Sequence, residues 1–292
     1  MMTDRLVLEA LSEQDNHFIF ELVNTKGWLE FIGNRNVHSA EEAIGYIQKI
    51  RENPNVTYWV VKLKEDRKSI GVITLIKRDY LEHHDIGFAF LPHYMNKGYA
   101  FEAASKLINY VFNELNHTHI QAIVLPSNHV SIRLLEKLGL LVEKKIELTN
   151  EQLNVYSISA DHFSITKTTK AFFSAFTNKN GTQPNLELLK NRCIPELLII
   201  RKTEHETTAY TLQSFIEPRQ KILTDGTLIE FEEEETLDAT TIVNTIAQRY
   251  SEYTKSGILQ GKPFKQEGCK LFQFVKINNE WKISAVIWED KP

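Results

Sequence analysis

The stretch Met95-Asn96-Lys97-Gly98-Tyr99-Ala100 constrains this chain more than any other. It follows an extended apolar run, Asp85-Ile86-Gly87-Phe88-Ala89-Phe90-Leu91-Pro92. It precedes a segment in which Ala100, Ala104, Leu107, Ile108, Val111 and Leu115 recur at helical spacing. A strand that turns through a glycine into a helix has few ways to be built. Glycine and a small residue let backbone N–H groups approach a ligand, and the helix aims its positive dipole end at the same point. Such a point suits a phosphate group.

The first half alternates helices and strands. Ser12 with Asp15, and Ser39 with Glu42, have capping-box spacing and predict two helix starts. The second of these helices carries Ala43, Ile44, Ile47 and Ile50 on one face. Strands are predicted at 57–63 and 70–76 around a charged turn, at 85–90 ahead of the glycine loop, and at 119–125 before Pro126. A helix over 130–138 stops at Gly139, in the place of a C′ glycine. Strands at 141–148 and 153–158 flank a Thr149-Asn150 turn. They complete a mixed α/β sheet with helices by about Ala160.

The second half is written differently. A helix with Ile165, Thr169, Phe172, Phe173 and Phe176 on its apolar side runs to a break at Asn180-Gly181, and a short helix follows Pro184. Strands are predicted at 241–251, 269–277 and 281–289, the last two joined by the hairpin signal Asn278-Asn279. Helices first and an antiparallel meander last give an α+β expectation. Phe272, Phe274, Val286 and Trp288 alternate, as residues that line a cone or meet a partner would. The acidic run Glu232 to Glu235 reads as a solvated turn or strand edge. With 292 residues, the chain divides most naturally into domains at 1–160 and 161–292.

A net charge of -4 and a pI near 6.2 argue against a nucleic-acid partner. No apolar run is long enough to span a bilayer, and the opening MMTDRLVLEA lacks the pattern of a signal peptide, so a cytoplasmic location is expected. Cys193 and Cys269 have no metal or redox spacing and are expected as buried free thiols. His83 and His84 point to opposite sides of an extended chain, so a shared metal is not expected and both read as surface residues.

Downstream of the loop lies Asn128-His129-Val130-Ser131-Ile132-Arg133-Leu134-Leu135-Glu136-Lys137-Leu138-Gly139. Taken in order with the apolar strand and the loop, it resembles the acyl-CoA core of the GCN5-related N-acetyltransferases (GNAT). The opening Thr3-Asp4-Arg5-Leu6-Val7-Leu8 is similar to the ribosomal-protein N-acetyltransferase branch. So are Phe31-Ile32-Gly33-Asn34-Arg35-Asn36-Val37 and Lys77-Arg78-Asp79. The resemblance covers Thr3 to about Ala160. The remainder, ending in Trp281 to Asp290, resembles the nuclear-transport-factor-like (SnoaL-like) fold, a cone-shaped α+β domain of cystatin-like type.

The first resemblance implies acetyl-CoA as co-substrate and an amine as acceptor. It assigns the pyrophosphate to the backbone of Met95, Asn96, Lys97, Gly98, Tyr99 and Ala100. The pantetheine arm pairs along the edge of the central strand, near Phe88, Phe90 and Leu91, and a free N–H there faces the oxyanion. That edge is freed by a bulge, for which Gly87 is the expected residue. Met95 and Asn96 depart from the family's usual Gln or Arg opening. Backbone groups make most of the contacts, however, and Asn96 tolerates a left-handed conformation.

Asn128 reads first as an N-cap with Ser131 at N3; the resemblance adds that Asn128 touches pantetheine and Ser131 lies near the departing thiolate. No tyrosine occupies the helix that follows, and a thiol with pKa about 8.5 needs little help to leave. Asp85 stands where the branch often carries an acidic residue, which makes it the candidate base. A lysine amine of pKa about 10.4 must spend about 4.6 kcal/mol to be neutral at pH 7, an α-amine of about 7.8 only about 1 kcal/mol. One carboxylate working through water suits the easier amine, a protein N-terminus or a small molecule of low pKa. Two other readings compete. One is a module that binds acyl-CoA without turnover. The other is isomerase or cyclase chemistry in the second domain, where His205 and Asp238 are the candidates. The second domain is also the expected surface for a homodimer.

Overall fold

The computed structural model describes residues 1–148 and 151–291, so the Thr149-Asn150 turn lies outside the described residues. Its contacts divide the chain into two compact units, Met1–Ala160 and Asp161–Pro292.

The first unit is built on strands β1 (Leu6–Ala10), β2 (Val56–Leu63), β3 (Ser69–Ile76), β4 (His84–Phe90), β5 (His119–Val124), β6 (Leu141–Leu148) and β7 (Glu151–Ser159). They lie in the order β1-β2-β3-β4-β5-β7-β6, antiparallel except for β4 beside β5. Its helices are α1 (Asn16–Val23), α2 (Lys26–Phe31), α3 (Ala40–Glu52), α4 (Tyr99–Asn113) and α5 (His129–Lys137). Local chemistry starts them. A 3-10 turn closed by the Ser12–Asp15 capping box leads into α1. Ser39 Oγ accepts the Glu42 N–H to cap α3, while the Glu42 carboxylate reaches past Ser39 to the N–H of His38. Ala43 and Ile47 are fully buried. Helix α4 buries Ala103, Ala104, Leu107, Ile108 and Val111 completely, each large side chain contributing about 1.5–3 kcal/mol. It ends at Asn113, short of Leu115, which is exposed.

Gly87 is not a bulge. The β3–β4 ladder runs through it without a shift, pairing Thr74 with Gly87. A Cβ there would fall 2.6 Å from Thr74 Oγ1, so the glycine serves close side-chain approach inside a regular ladder.

The second unit opens with α6 (Ala160–Ser174) and continues through α7 (Glu187–Arg192), β8 (Cys193–Lys202), β9 (Thr207–Tyr210) and α8 (Leu212–Thr224). Four long strands follow: β10 (Leu228–Val243), β11 (Ile246–Leu259), β12 (Lys262–Ile277) and β13 (Glu280–Asp290). The sheet order is β10-β11-β12-β13-β8-β9, with β13 and β8 parallel. Phe172 and Phe173 of α6 pack with Phe272, Phe274 and Trp281 in one core. Phe172 meets Phe272 edge-on at 5.2 Å, a geometry worth about 0.5–1.5 kcal/mol beyond burial. Asn278 and Asn279 both have positive φ, 49° and 65°, and make the β12–β13 hairpin as their sequence predicts.

Several expectations are corrected here. The predicted strand at 241–251 is two strands, because Asn244 (φ 53°) turns β10 back into β11. Residues 193–240 hold β8, β9, α8 and most of β10, all masked in the sequence by prolines or broken alternation. Pro195 sits where the β13–β8 ladder breaks, between the pairs Ile283–Cys193 and Ala285–Leu198. Pro218 lies inside α8. The acidic run is part of edge strand β10 and is not simply solvated: Glu233 is buried against Lys270, and Glu235 accepts from both Nε and Nη2 of Arg249. Cys193 is buried, but Cys269 is only half-buried. Among the described residues no helix is long and apolar enough to cross a membrane.

Candidate functional site

Strands β4 and β5 part almost as soon as they meet. Their parallel ladder contains only His84–Ile120 and Asp85–Gln121, whereas β4 stays paired with β3 as far as Phe90. From Ile86 to Phe90 the far edge of β4 has no partner strand among the described residues. Leu91 donates its N–H to Ile70 O on the β3 side at 2.9 Å. Alternation along a strand therefore aims the Phe88 and Phe90 N–H groups at the open edge. An amide-bearing chain laid in this fork finds a strand edge to pair with, and a developing oxyanion finds an N–H.

Asp85 stands at the crotch of the fork. Its Oδ1 accepts the Ile123 N–H at 3.2 Å, so a side chain takes the β5 donor that the backbone of a continued β4 would otherwise approach. Its Oδ2 pairs with Arg78 Nε at 2.6 Å. The residue is only 2% exposed. Burial pushes its pKa up, more than Arg78 and the Ile123 N–H pull it down. Gln121, also buried, closes the paired end: its Oε1 accepts the His83 N–H and its Nε2 donates to Glu143. The two histidines are half-buried, not surface groups. His83 stacks on His119 at 4.7 Å, and His84 meets His117 edge-on at 4.5 Å. Among the described residues no group of three or more His, Cys, Asp or Glu side chains is arranged to hold a metal.

One tine of the fork continues into the glycine loop. After a 3-10 turn at Pro92–Tyr94, Asn96 takes φ 59° and Gly98 takes φ 80°, and Gly98 begins α4 with no side-chain cap. The first N–H groups of α4 are thereby left for a ligand. Met95, Asn96, Lys97 and Gly98 are exposed, and Tyr99 and Ala100 half-buried. The loop is braced from β1. Arg5 donates Nη1–H to Lys97 O at 3.1 Å and Nε–H to Glu102 Oε2 at 2.7 Å, and it lies 4.6 Å above the Tyr99 ring. Glu102 also accepts from the Arg5 N–H and the Thr3 hydroxyl. Burial works to raise the Glu102 pKa, but these donors outweigh it and hold it low. Thr3, Arg5 and Glu102 are thus positioning residues of the loop. Nothing in their sequence separation of nearly a hundred residues marks them as partners.

The other tine leads through β5 to α5. Asn128 Oδ1 accepts the Ser131 N–H at 3.1 Å, the cap expected from the sequence. Both residues are half-buried. Because β4 and β5 are parallel, the loop and this cap both follow the carboxyl ends of the diverging strands, where α/β sheets take ligands. A tyrosine does approach α5, from β7: the Tyr156 hydroxyl lies 3.5 Å from Glu136. Burial, then that carboxylate, raises its pKa. In the second unit His205 is exposed beside Glu204, and Asp238 is bound by Arg249; neither is the other's partner.

The family described as "Acetyltransferase (GNAT) domain" matches residues 5–141. An uncharacterized N-acetyltransferase of Bacillus subtilis (strain 168), YoaA, is 30% identical over 168 residues, which is 53% of this chain and 94% of that protein. Among solved structures, a GNAT-family acetyltransferase from Bacillus anthracis is 27% identical and covers 55% of this chain and 98% of its own, with a TM-score of 0.49. The spermidine N-acetyltransferase of Vibrio cholerae, solved with CoA and spermine, is 21% identical, with a TM-score of 0.48 over 55% of this chain and 99% of its own. Each match spans about half of this chain.

Proposed function

Through its first half this chain belongs to the GNAT family of N-acetyltransferases, and from that premise we propose that it moves the acetyl group of acetyl-CoA to a primary amine. The observation that carries the proposal is the fork: a β4 edge without a partner strand among the described residues, followed through the Pro92–Tyr94 turn and the glycine loop by a helix start that lacks a side-chain cap. In this reading the backbone of residues 95–100 holds the pyrophosphate, the Phe88–Leu91 edge pairs with pantetheine, and the Phe88 or Phe90 N–H stabilises the oxyanion. Asn128 steadies pantetheine, and Ser131 lies by the departing sulfur. Asp85 is the base. A raised pKa makes its carboxylate a better proton acceptor, and its burial requires an intervening water to reach the amine. The preferred acceptor is an amine of low pKa, a protein N-terminus or a small molecule.

The same reading places the enzyme in the cytoplasm and makes the second unit a nuclear-transport-factor-like cone. What supports the cone is the order of helices first and long meander last. What supports pairing of two copies through it is an apolar cross-strand pair on the sheet, Leu271 and Ile287, standing 47% and 40% exposed.

The experiment is calorimetry of acetyl-CoA with the full-length protein, followed by thiol release across peptides, aminoglycosides, polyamines and amino acids. Binding with release on an amine supports the proposal. Binding without release on the whole panel replaces it with a non-catalytic acyl-CoA module. Asp85→Asn should lower kcat by about a hundredfold or more and leave acetyl-CoA affinity within about threefold. Equal rates would remove Asp85 from the mechanism.

A further inference from the structure

Within the second unit, side chains from α6, α8, β8 and the strands β10 to β13 line a cavity of about 520 Å³. Its wall is largely apolar, with Phe172, Phe215, Phe231, Phe264 and Trp288 among the lining residues. Small-molecule sites run to roughly 300–1,000 Å³ and are built this way, apolar walls with a few polar groups set among them. Here the polar groups are Arg201, Arg219, Lys255, Lys270, Glu233, Asp290 and Gln266. Four cations face two carboxylates.

Both carboxylates are already committed. Glu233 pairs with Lys270 at 2.6 Å, and the two are buried together. Asp290 accepts from the Tyr253 hydroxyl at 2.5 Å and from Lys255, while Arg201 lies 3.7 Å from its other oxygen. Arg219 is in a different position. Its guanidinium lies 3.7 Å from the centre of the Phe215 ring, with Tyr210 and Trp288 at 5.5 and 5.8 Å. Its Nη1 donates to Phe215 O at 2.9 Å. No carboxylate lies within ion-pair distance of it among the described residues. Tyr210 and Glu233 also act on it, but Glu233 is already paired with Lys270, so this cation among aromatic rings at the cavity wall keeps N–H donors for an anion.

We propose that this cavity binds a small organic carboxylate with an apolar body, the carboxylate on Arg219 and the body along Phe172, Phe231 and Phe264. A planar carboxylate matches the guanidinium fork, which accepts it through two parallel N–H bonds. Arg219 is the one of the four cations with no carboxylate at ion-pair distance among the described residues, and the planar fork of its guanidinium matches a carboxylate. The apolar body replaces water against the rings and is stabilised by burial there. The cavity is lined wholly by residues of the second unit, so this inference stands whether or not the acetyl-transfer reading does.

The test is calorimetry on the full-length protein with 2-naphthoate and octanoate, each against its uncharged amide. The acids should bind at least about tenfold more tightly than the amides, since a hydrogen bond to a charged group is the difference between them. Arg219→Gln should remove that preference and leave amide affinity within about threefold, which also reports that the variant is folded. Arg219→Lys should restore part of it. Phe264→Trp adds bulk to the cavity wall without changing Arg219 and should weaken binding of all four probes. Equal affinity for acid and amide, a preference that survives Arg219→Gln, unchanged binding in Phe264→Trp, or no heat with any probe would each overturn the proposal.

Discussion

Each unit places one parallel pair of strands in an otherwise antiparallel sheet, β4 with β5 in the first and β13 with β8 in the second. The first pair opens after Asp85–Gln121. The second, once past its break at Pro195, holds from Ala285–Leu198 to Glu289–Lys202. Where a ladder stops early, backbone N–H and C=O groups are left to meet a ligand, and the site is made of main chain. Where the ladder runs on, the backbone is spent on the sheet, and a ligand must be met by side chains over its face. The fork of the first unit and the cavity of the second are these two solutions. They differ in what can damage them: conformation for the first, charge balance and packing for the second.

The largest effect expected from breaking this contrast lies in the second unit. Lys270 is buried, its pKa drawn down by burial against the opposing pull of Glu233. Lys270→Met should cost about 3–5 kcal/mol, because Glu233 is left buried without its cation. Adding Glu233→Met to it should recover most of that loss, since a well-packed apolar pair does about as well as a buried ion pair. Urea unfolding of the three proteins reads this directly. A double variant as unstable as the single one would show that the charge is not what matters there.

In the first unit the corresponding injury is conformational. Gly98→Val forces a β-branched residue to φ 80° and should weaken acetyl-CoA binding about a hundredfold, equivalent to about 2.7 kcal/mol. Gly98→Asn, which tolerates that backbone, should retain most of the affinity. Met95→Ala should leave it within about threefold, because the loop offers main chain at that position. If Met95→Ala proved as harmful as Gly98→Val, the site would depend on side chains after all and the contrast would fail.

The smallest effect concerns pH at the closed end of the fork. Burial, followed by neighbouring positive charge, holds the His84 and His117 pKa values below the ordinary 6.5. As pH falls through about 6.5 the unfolded chain takes up these protons first. The stability present above that pH is then lost as it falls on through the lower folded values. His84→Gln should flatten the decline in stability between pH 7 and 5, measured by urea midpoints. Identical slopes for the two proteins would remove His84 from the account.

Much of the first unit was open to reading because its signals are local. Helical spacing placed α3 and α4, cap chemistry placed Ser39 and Asn128, and Asn96 and Gly98 take the backbone their residue types favour. The same holds for Asn278-Asn279 in the second unit. Reading failed where one residue interrupts a uniform pattern. Val243 and Ile246 look like one β-run, and only Asn244 between them signals the reversal. Gly87 shows the converse: glycine in a strand suggested a bulge, but the cause is the Thr74 side chain opposite it, which no local pattern contains.

The sequence by itself determined which segments are helix and strand around the glycine loop, and with them the family, because those preferences act between residues a few positions apart. Only the tertiary structure decided where the β4–β5 ladder ends, that Asp85 stands in the opening bound to Arg78 and Ile123, and that Arg5 reaches across to Glu102 to brace the loop. It alone gathered Arg219, Lys270 and Asp290 around one cavity. Such meetings depend on ladder register and on the closing of long loops, which the whole chain settles collectively when it packs.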